Sequence, residues 1–200
     1  LPSMITTIGT QFFWAGATAV VSGGLGKTLV PAKTNIIYSM LVGRLGGKVP
    51  AQMIWTVIFA FVIWLFLNRH RFGAHIYFIG DNPESARVMG INVDRVKMMV
   101  FTQMGLFSAF AGILASLEVT YYWPTLGQGY LLKTIAAVYL GGTPVEGGVG
   151  TVFGTFIGAI ILGCLEAGII AIGMTGFWTQ LIYGLIVIVS IAMHSILRRR

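Results

Sequence analysis

Residues 51–67 read AQMIWTVIFAFVIWLFL, without a charged side chain from end to end. A helix needs about 20 predominantly apolar residues to cross roughly 30 Å of hydrocarbon, and one that is apolar all round has no face to give to water. Trp55 and Trp64 fall near the ends of the run, where indole rings sit well at a membrane interface. Apolar runs of similar length recur at 4–22, 98–120, 152–172 and 176–196. Of the 200 residues, 56% are apolar and 10% charged, and the mean hydropathy is +0.84, whereas a soluble domain carries about 25% charged residues to wet its surface. A soluble core protein is excluded. The expected fold is an all-α polytopic membrane protein with about six crossings.

The formal charge of +7 does not mark a nucleic-acid surface. The thirteen Lys and Arg lie between the apolar runs and in the terminal Arg198-Arg199-Arg200, which is the distribution that the positive-inside bias produces. Residues 68–97 form the long polar stretch, with five Lys/Arg and three of the six acids, and are expected to face the cytoplasm and any soluble partner. Within it, Asp81-Asn82-Pro83-Glu84 reads as a helix start, with Asn82 capping, Pro83 in the first helical position and Glu84 favouring the dipole. Gly90 supplies the stop. The predicted product, 82–90, is a surface helix of about two turns, too short to span.

Residues 23–50 hold Gly23, Gly24, Gly26, Pro31, Gly43, Gly46, Gly47 and Pro50 and read as a loop. Its Gly23-Gly24-Leu25-Gly26-Lys27-Thr28 looks like the end of a phosphate-binding loop, but Val21 stands where that pattern needs Gly, and a membrane segment precedes it rather than a strand. The chain opens Leu1-Pro2-Ser3-Met4-Ile5, without an initiator Met or a basic signal region, and is expected to begin inside a larger protein.

If 68–97 and the arginine tail share one side of the membrane, an even number of crossings separates them, yet three long apolar runs are visible. The missing crossing is assigned to 130–141, YLLKTIAAVYLG, a short segment flanked by glycines. Broken helices at membrane depth persist where protein or a water-filled cavity covers their backbone. The stretch 130–148 is therefore expected beside a translocation path, with Tyr130, Lys133, Thr143, Glu166, Trp178 and Gln180 as candidate lining residues.

Charge within a membrane costs at least about 2.5–3.5 kcal/mol at the centre, so Lys133 and Glu166 are functional candidates by position, while Glu118 lies near a span end. Gly150, Gly154 and Gly158 recur every four residues and predict a bare face for close helix packing. Tyr121-Tyr122-Trp123 reads as an interfacial aromatic belt or a sugar-stacking surface. His70, His75 and His194 lack metal-ligand spacing, Cys164 is alone in an apolar run, and no catalytic arrangement stands out. No catalytic residue, metal site or cofactor is assigned.

Residues 73–97, GAHIYFIGDNPESARVMGINVDRVK, resemble the inner-membrane permeases of bacterial ABC importers of the ribose, xylose and galactose type. The likeness continues through IAAVYLGGTPVEGGVGTVFGTFIGAIILG at 135–163, FWTQLIYGLIVI at 177–188 and LPSMITTIGT at 1–10. It implies one transmembrane permease domain of which 1–200 is the C-terminal part. It also implies a permease dimer around a central path, a periplasmic or extracellular solute-binding protein, a separate cytoplasmic ATP-binding subunit, and a place in the bacterial inner membrane. Glu84-Ser85-Ala86 followed by Gly90 is similar to the E-A-A-x-x-x-G coupling element of ABC permeases, with Ser in place of the first Ala. Asn82, Pro83, Glu84, Ser85, Ala86, Arg87 and Gly90 thereby become candidates for coupling to the ATPase. Three positions depart from the sugar-permease pattern: Leu131 and Lys133 stand where acids are common, and Glu166 where Asn is common.

The sequence thus reads as a permease subunit that moves a small polar solute, a monosaccharide by resemblance, and performs no covalent chemistry. An ion-coupled secondary transporter, relying on Glu166 and Lys133, and a non-transporting membrane scaffold remain the alternatives.

Overall fold

The computed structural model describes residues 3–144, 147–174 and 176–198. Arg199 and Arg200 of the basic tail lie outside the described residues. Those described form α1 (Ser3–Ser22), α2 (Ile36–Val42), α3 (Ala51–Arg69), α4 (Arg71–Asp81), α5 (Pro83–Val88), α6 (Val93–Val119), α7 (Tyr130–Leu140), α8 (Val152–Ala171) and α9 (Gly176–Arg198). The chain is a helical membrane protein: α3, α6 and α8 are each long and apolar enough to span a bilayer. Among the other helices, α1 and α9 have 20 and 23 residues. The 11 residues of α7 reach only about 16 Å at 1.5 Å per residue.

Two stretches read as loops carry more structure than their composition suggested. In 23–50, a 3-10 turn over Val30–Thr34 leads into α2, which Asn35 caps by accepting a bond from the Ile37 amide at 3.2 Å. In 68–97, α4 precedes the expected short helix. Its apolar Phe72, Ile76 and Ile79 recur at helical spacing, and the His70 Nδ1 accepts from the Phe72 amide at 3.1 Å, capping the start. The basic and polar residues around this stripe hid its period.

The chain divides into two compact units, Leu1–Thr56 with Gln103–Gln128 and Val57–Thr102 with Gly129–Arg200. In the first, Lys27–Thr28 pairs antiparallel with Tyr121–Tyr122, and the Tyr121 ring covers Gly26 so closely that a Cβ there would lie 2.5 Å from a ring carbon. The Gly-Lys-Thr stretch is therefore a strand pairing rather than a phosphate cradle. Trp55 donates to the Met40 carbonyl at 3.0 Å and meets Phe110 edge-on at 5.6 Å.

The second unit holds two small cores. Ile79, Ala86, Val93 and Val96 join α4, α5 and the start of α6, with Phe72, Ile76, Ile91 and Val100 around them. Ala136, Ala137, Leu162 and Tyr183 join α7, α8 and α9. Both are built from apolar faces at helical spacing.

Candidate functional site

The α5 helix is specified almost entirely by its own sequence. Asn82 Oδ1 accepts from the Glu84 and Ser85 amides at 2.9 and 3.1 Å, and Pro83 begins the helix where no amide hydrogen is needed. At the other end the Gly90 amide bonds the Arg87 carbonyl and the Ile91 amide bonds the Ala86 carbonyl, with Gly90 at φ +82°. This is the paired closure that favours glycine after a helix. Ala86 is fully buried against the α4–α6 core, which fixes the orientation of α5, while Val88 and Met89 stand exposed at its tip. An Arg87–Asp94 ion pair at 3.7 Å, open to solvent, links α5 to the first turn of α6. Asn92 caps that turn by accepting from the Arg95 amide at 3.0 Å.

The second place is the seam between α7 and α8. Gly154, Gly158, Leu162 and Glu166 follow one another at intervals of four along α8, so they share a face. Gly141, Ala137 and Lys133 run back along α7 at the same interval, and the two helices lie antiparallel. Near the connection a Cβ on Gly141 would lie 2.6 Å from the Thr155 Cα, and one on Gly158 would run into the Ala137 carbonyl. Gly150, grouped with them on spacing, lies before the first residue of α8 and presses on Thr143 instead.

At the far end of the seam the side chains are long and charged. Lys133 Nζ pairs with Glu166 Oε1, and the Tyr183 hydroxyl donates to Glu166 Oε2 at 2.9 Å. The Lys133 ammonium also lies 5.6 Å from the Tyr130 ring centre and 5.8 Å from that of Tyr183, within reach of the negative ring faces. One carboxylate thus ties three helices together. Pairing offsets the cost of placing either charge in an apolar setting, and with side chains 37% and 31% exposed, Lys133 and Glu166 remain open to a neighbour.

Of the path candidates, the structure brings together Tyr130, Lys133 and Glu166. Thr143 sits past the opposite end of α7, at a small cavity of about 130 Å³ bordered by Tyr139 and Pro144. Trp178 and Gln180 lie exposed on the first turns of α9. Sequence reasoning missed Tyr183, whose signal was faint: a hydroxyl within an apolar helix, needing a partner once buried. A larger groove of about 510 Å³ between α3 and α8, lined by Phe61, Trp64, Phe153 and Phe156 among others, is almost wholly apolar. It lacks the convergent polar groups that orient a polar solute.

The family model described as "Branched-chain amino acid transport system / permease component" matches residues 1–191. The chain is 37% identical over 193 residues to the ribose import permease protein RbsC of Bacillus subtilis (strain 168), covering 94% of this chain and 58% of that protein. It is 33% identical over 195 residues to the galactose/methyl galactoside import permease protein MglC of Haemophilus influenzae, covering 96% and 58%. To RbsC of Escherichia coli (strain K12) it is 36% identical over 195 residues, covering 96% and 60%. The chain therefore spans somewhat more than half the length of these relatives. No solved structure matches it. With its apolar helices, capped α5 and close α7–α8 seam, the chain belongs to this family of membrane-embedded transport permeases.

Proposed function

We propose that the chain is part of the permease subunit of an ATP-driven importer in a bacterial inner membrane, moving a small polar solute, a monosaccharide in kind. The supporting observation is α5. A six-residue helix, capped at both ends and seated by Ala86 on a core of its own, can receive a push and pass it on as a rigid body. Its tip of Arg87, Val88 and Met89 is the surface offered to a cytoplasmic ATP-binding subunit, and Asn82, Pro83, Glu84, Ser85 and Gly90 hold it in shape. The similarity to ribose and galactose import permeases supports the solute class and the further partners: a solute-binding protein outside, a second permease subunit, and the surrounding bilayer. Alternating access would move α7, α8 and α9, with Tyr130, Lys133, Glu166 and Tyr183 at the path and Thr143, Trp178 and Gln180 along it.

Co-purification of the complete permease with its ATPase tests this reading, with and without Glu84→Arg plus Gly90→Pro. Proline cannot adopt the φ of +82° found at position 90, so Gly90→Pro undoes the closure of α5, while Glu84→Arg sets a positive charge against the helix N-terminus and leaves the Asn82 cap in place. Loss of the ATPase from the variant is the expected result. Unchanged association sinks the docking role. Uptake driven by an ion gradient with no ATPase present would transfer the transport function to a secondary mechanism centred on Lys133 and Glu166.

A further inference from the structure

The last turn of α4 meets the glycine-rich connection before α8 backbone against backbone. A Cβ on Gly80 would lie 2.5 Å from the Gly148 amide nitrogen, and one on Gly148 would lie 3.1 Å from the Asp81 Cα. One turn earlier on the same face of α4, the Tyr77 hydroxyl donates to the Gly150 carbonyl at 2.9 Å. Gly150 in turn presses on Thr143, just past α7, and Thr151 caps α8 by accepting from the Gly154 amide at 3.0 Å. On the other side of the contact, Asp81 runs directly into Asn82, the cap of α5. A close-packed contact of this kind transmits displacement because it has no slack to absorb it, and the Tyr77 bond resists rotation about it.

We propose that Tyr77 and Gly80 are positioning residues for coupled transport: through them a displacement of α5 becomes a tilt of the α7–α8 pair, and so reaches the Lys133–Glu166 contact at its far end. The proposal rests on the reading of α5 as the helix that docks the ATPase. Neither residue touches solute or ATPase in this scheme. Their replacement therefore separates ATP hydrolysis from transport, which a purely structural role would not do.

The test uses the complete permease with its ATPase and solute-binding protein in proteoliposomes, unmodified and as Tyr77→Phe and Gly80→Ala. The quantities read are ATPase retention, ATP hydrolysed, and solute moved per ATP. Losing the Tyr77 bond is expected to lower solute per ATP about fivefold, the value of one ordinary hydrogen bond, with ATPase retention and hydrolysis unchanged; Gly80→Ala is expected to lower it further. Unchanged solute per ATP in both variants, or hydrolysis and transport falling in parallel, overturns the proposal. If Gly80→Ala fails to assemble, Tyr77→Phe decides alone. An unmodified permease that retains no ATPase brings down the α5 reading and this proposal together, and that result is distinguishable because it precedes either variant.

Discussion

The two ends of the α7–α8 seam are closed by opposite means. Beside the connection, Gly141 faces Gly154 and Thr155, and Gly158 faces Ala137, with backbone in direct contact. At the other end two polar side chains, Lys133 and Tyr183, converge on the Glu166 carboxylate. The first closure is steric and has one arrangement. The second is electrostatic, made of long side chains that can exchange partners without moving their backbones. A helix pair that tilts, as the proposed transport reading requires, would be well served by this division, since the glycine end fixes where the helices cross and the charged end can open.

Size should therefore matter at one end and charge at the other. The largest effect is expected from Gly158→Leu, which places a branched side chain where the Ala137 carbonyl stands. Detergent-extracted permease should lose its monodisperse peak, and Gly158→Ala should cost about 1–3 kcal/mol by overpacking. Normal behaviour of Gly158→Leu would break the comparison. Next comes Glu166→Ala, which leaves Lys133 unpaired and the Tyr183 hydroxyl without its acceptor, at about 1–3 kcal/mol. A thermal-melt cycle should show partial recovery when Lys133→Glu is joined to Glu166→Lys, and no recovery would mean that the pair contributes shape rather than charge. Tyr183→Phe should cost about 1 kcal/mol or less, the usual value of one bond between membrane helices. The smallest effect is expected from Arg87→Ala: its exposed ion pair with Asp94 is worth less than about 0.5 kcal/mol, and a larger drop in stability would show that α5 leans on α6 more than the geometry indicates.

What the sequence made legible follows the range of the interactions. The ends of α5 were readable because Asn82, Pro83 and Gly90 act on amides within four residues of themselves. The spans read at 51–67, 98–120 and 152–172, which the structure has as helices at 51–69, 93–119 and 152–171, were readable because hydrocarbon imposes length and apolarity at once. Helix α4 escaped because Arg69, Arg71, His75 and Asp81 broke up the apolar stripe of Phe72, Ile76 and Ile79, so a half-buried helix resembled a polar loop. Lys133 and Glu166 each stood out as charges in apolar surroundings, but their pairing depends on a register between residues 33 apart in sequence. The intervals of four do not pair them by themselves, since three steps run from Gly154 to Glu166 along α8 and two from Gly141 back to Lys133 along α7. Gly150 shares the spacing of Gly154 and Gly158 and not their helix, because the Thr151 cap starts α8 beyond it.

The length of α6 carries a consequence for the lipid around it. Its 27 residues extend about 40 Å at 1.5 Å per residue, roughly two turns more than the hydrocarbon core requires. Most of the surplus is its first turn and a half, where Asp94, Arg95 and Lys97 are charged and Val93 and Val96 are buried beneath α4 and α5. From Met98 onward the helix is free of charge as far as Leu117, about 30 Å of rise, which matches an ordinary bilayer. The charge-free length of α6 thereby sets the hydrocarbon thickness that suits it. On the proposed reading of α5 as the docking helix, reconstitution in lipids with longer chains should draw Lys97 toward the headgroups, shorten the reach of α5 toward its partner and lower transport.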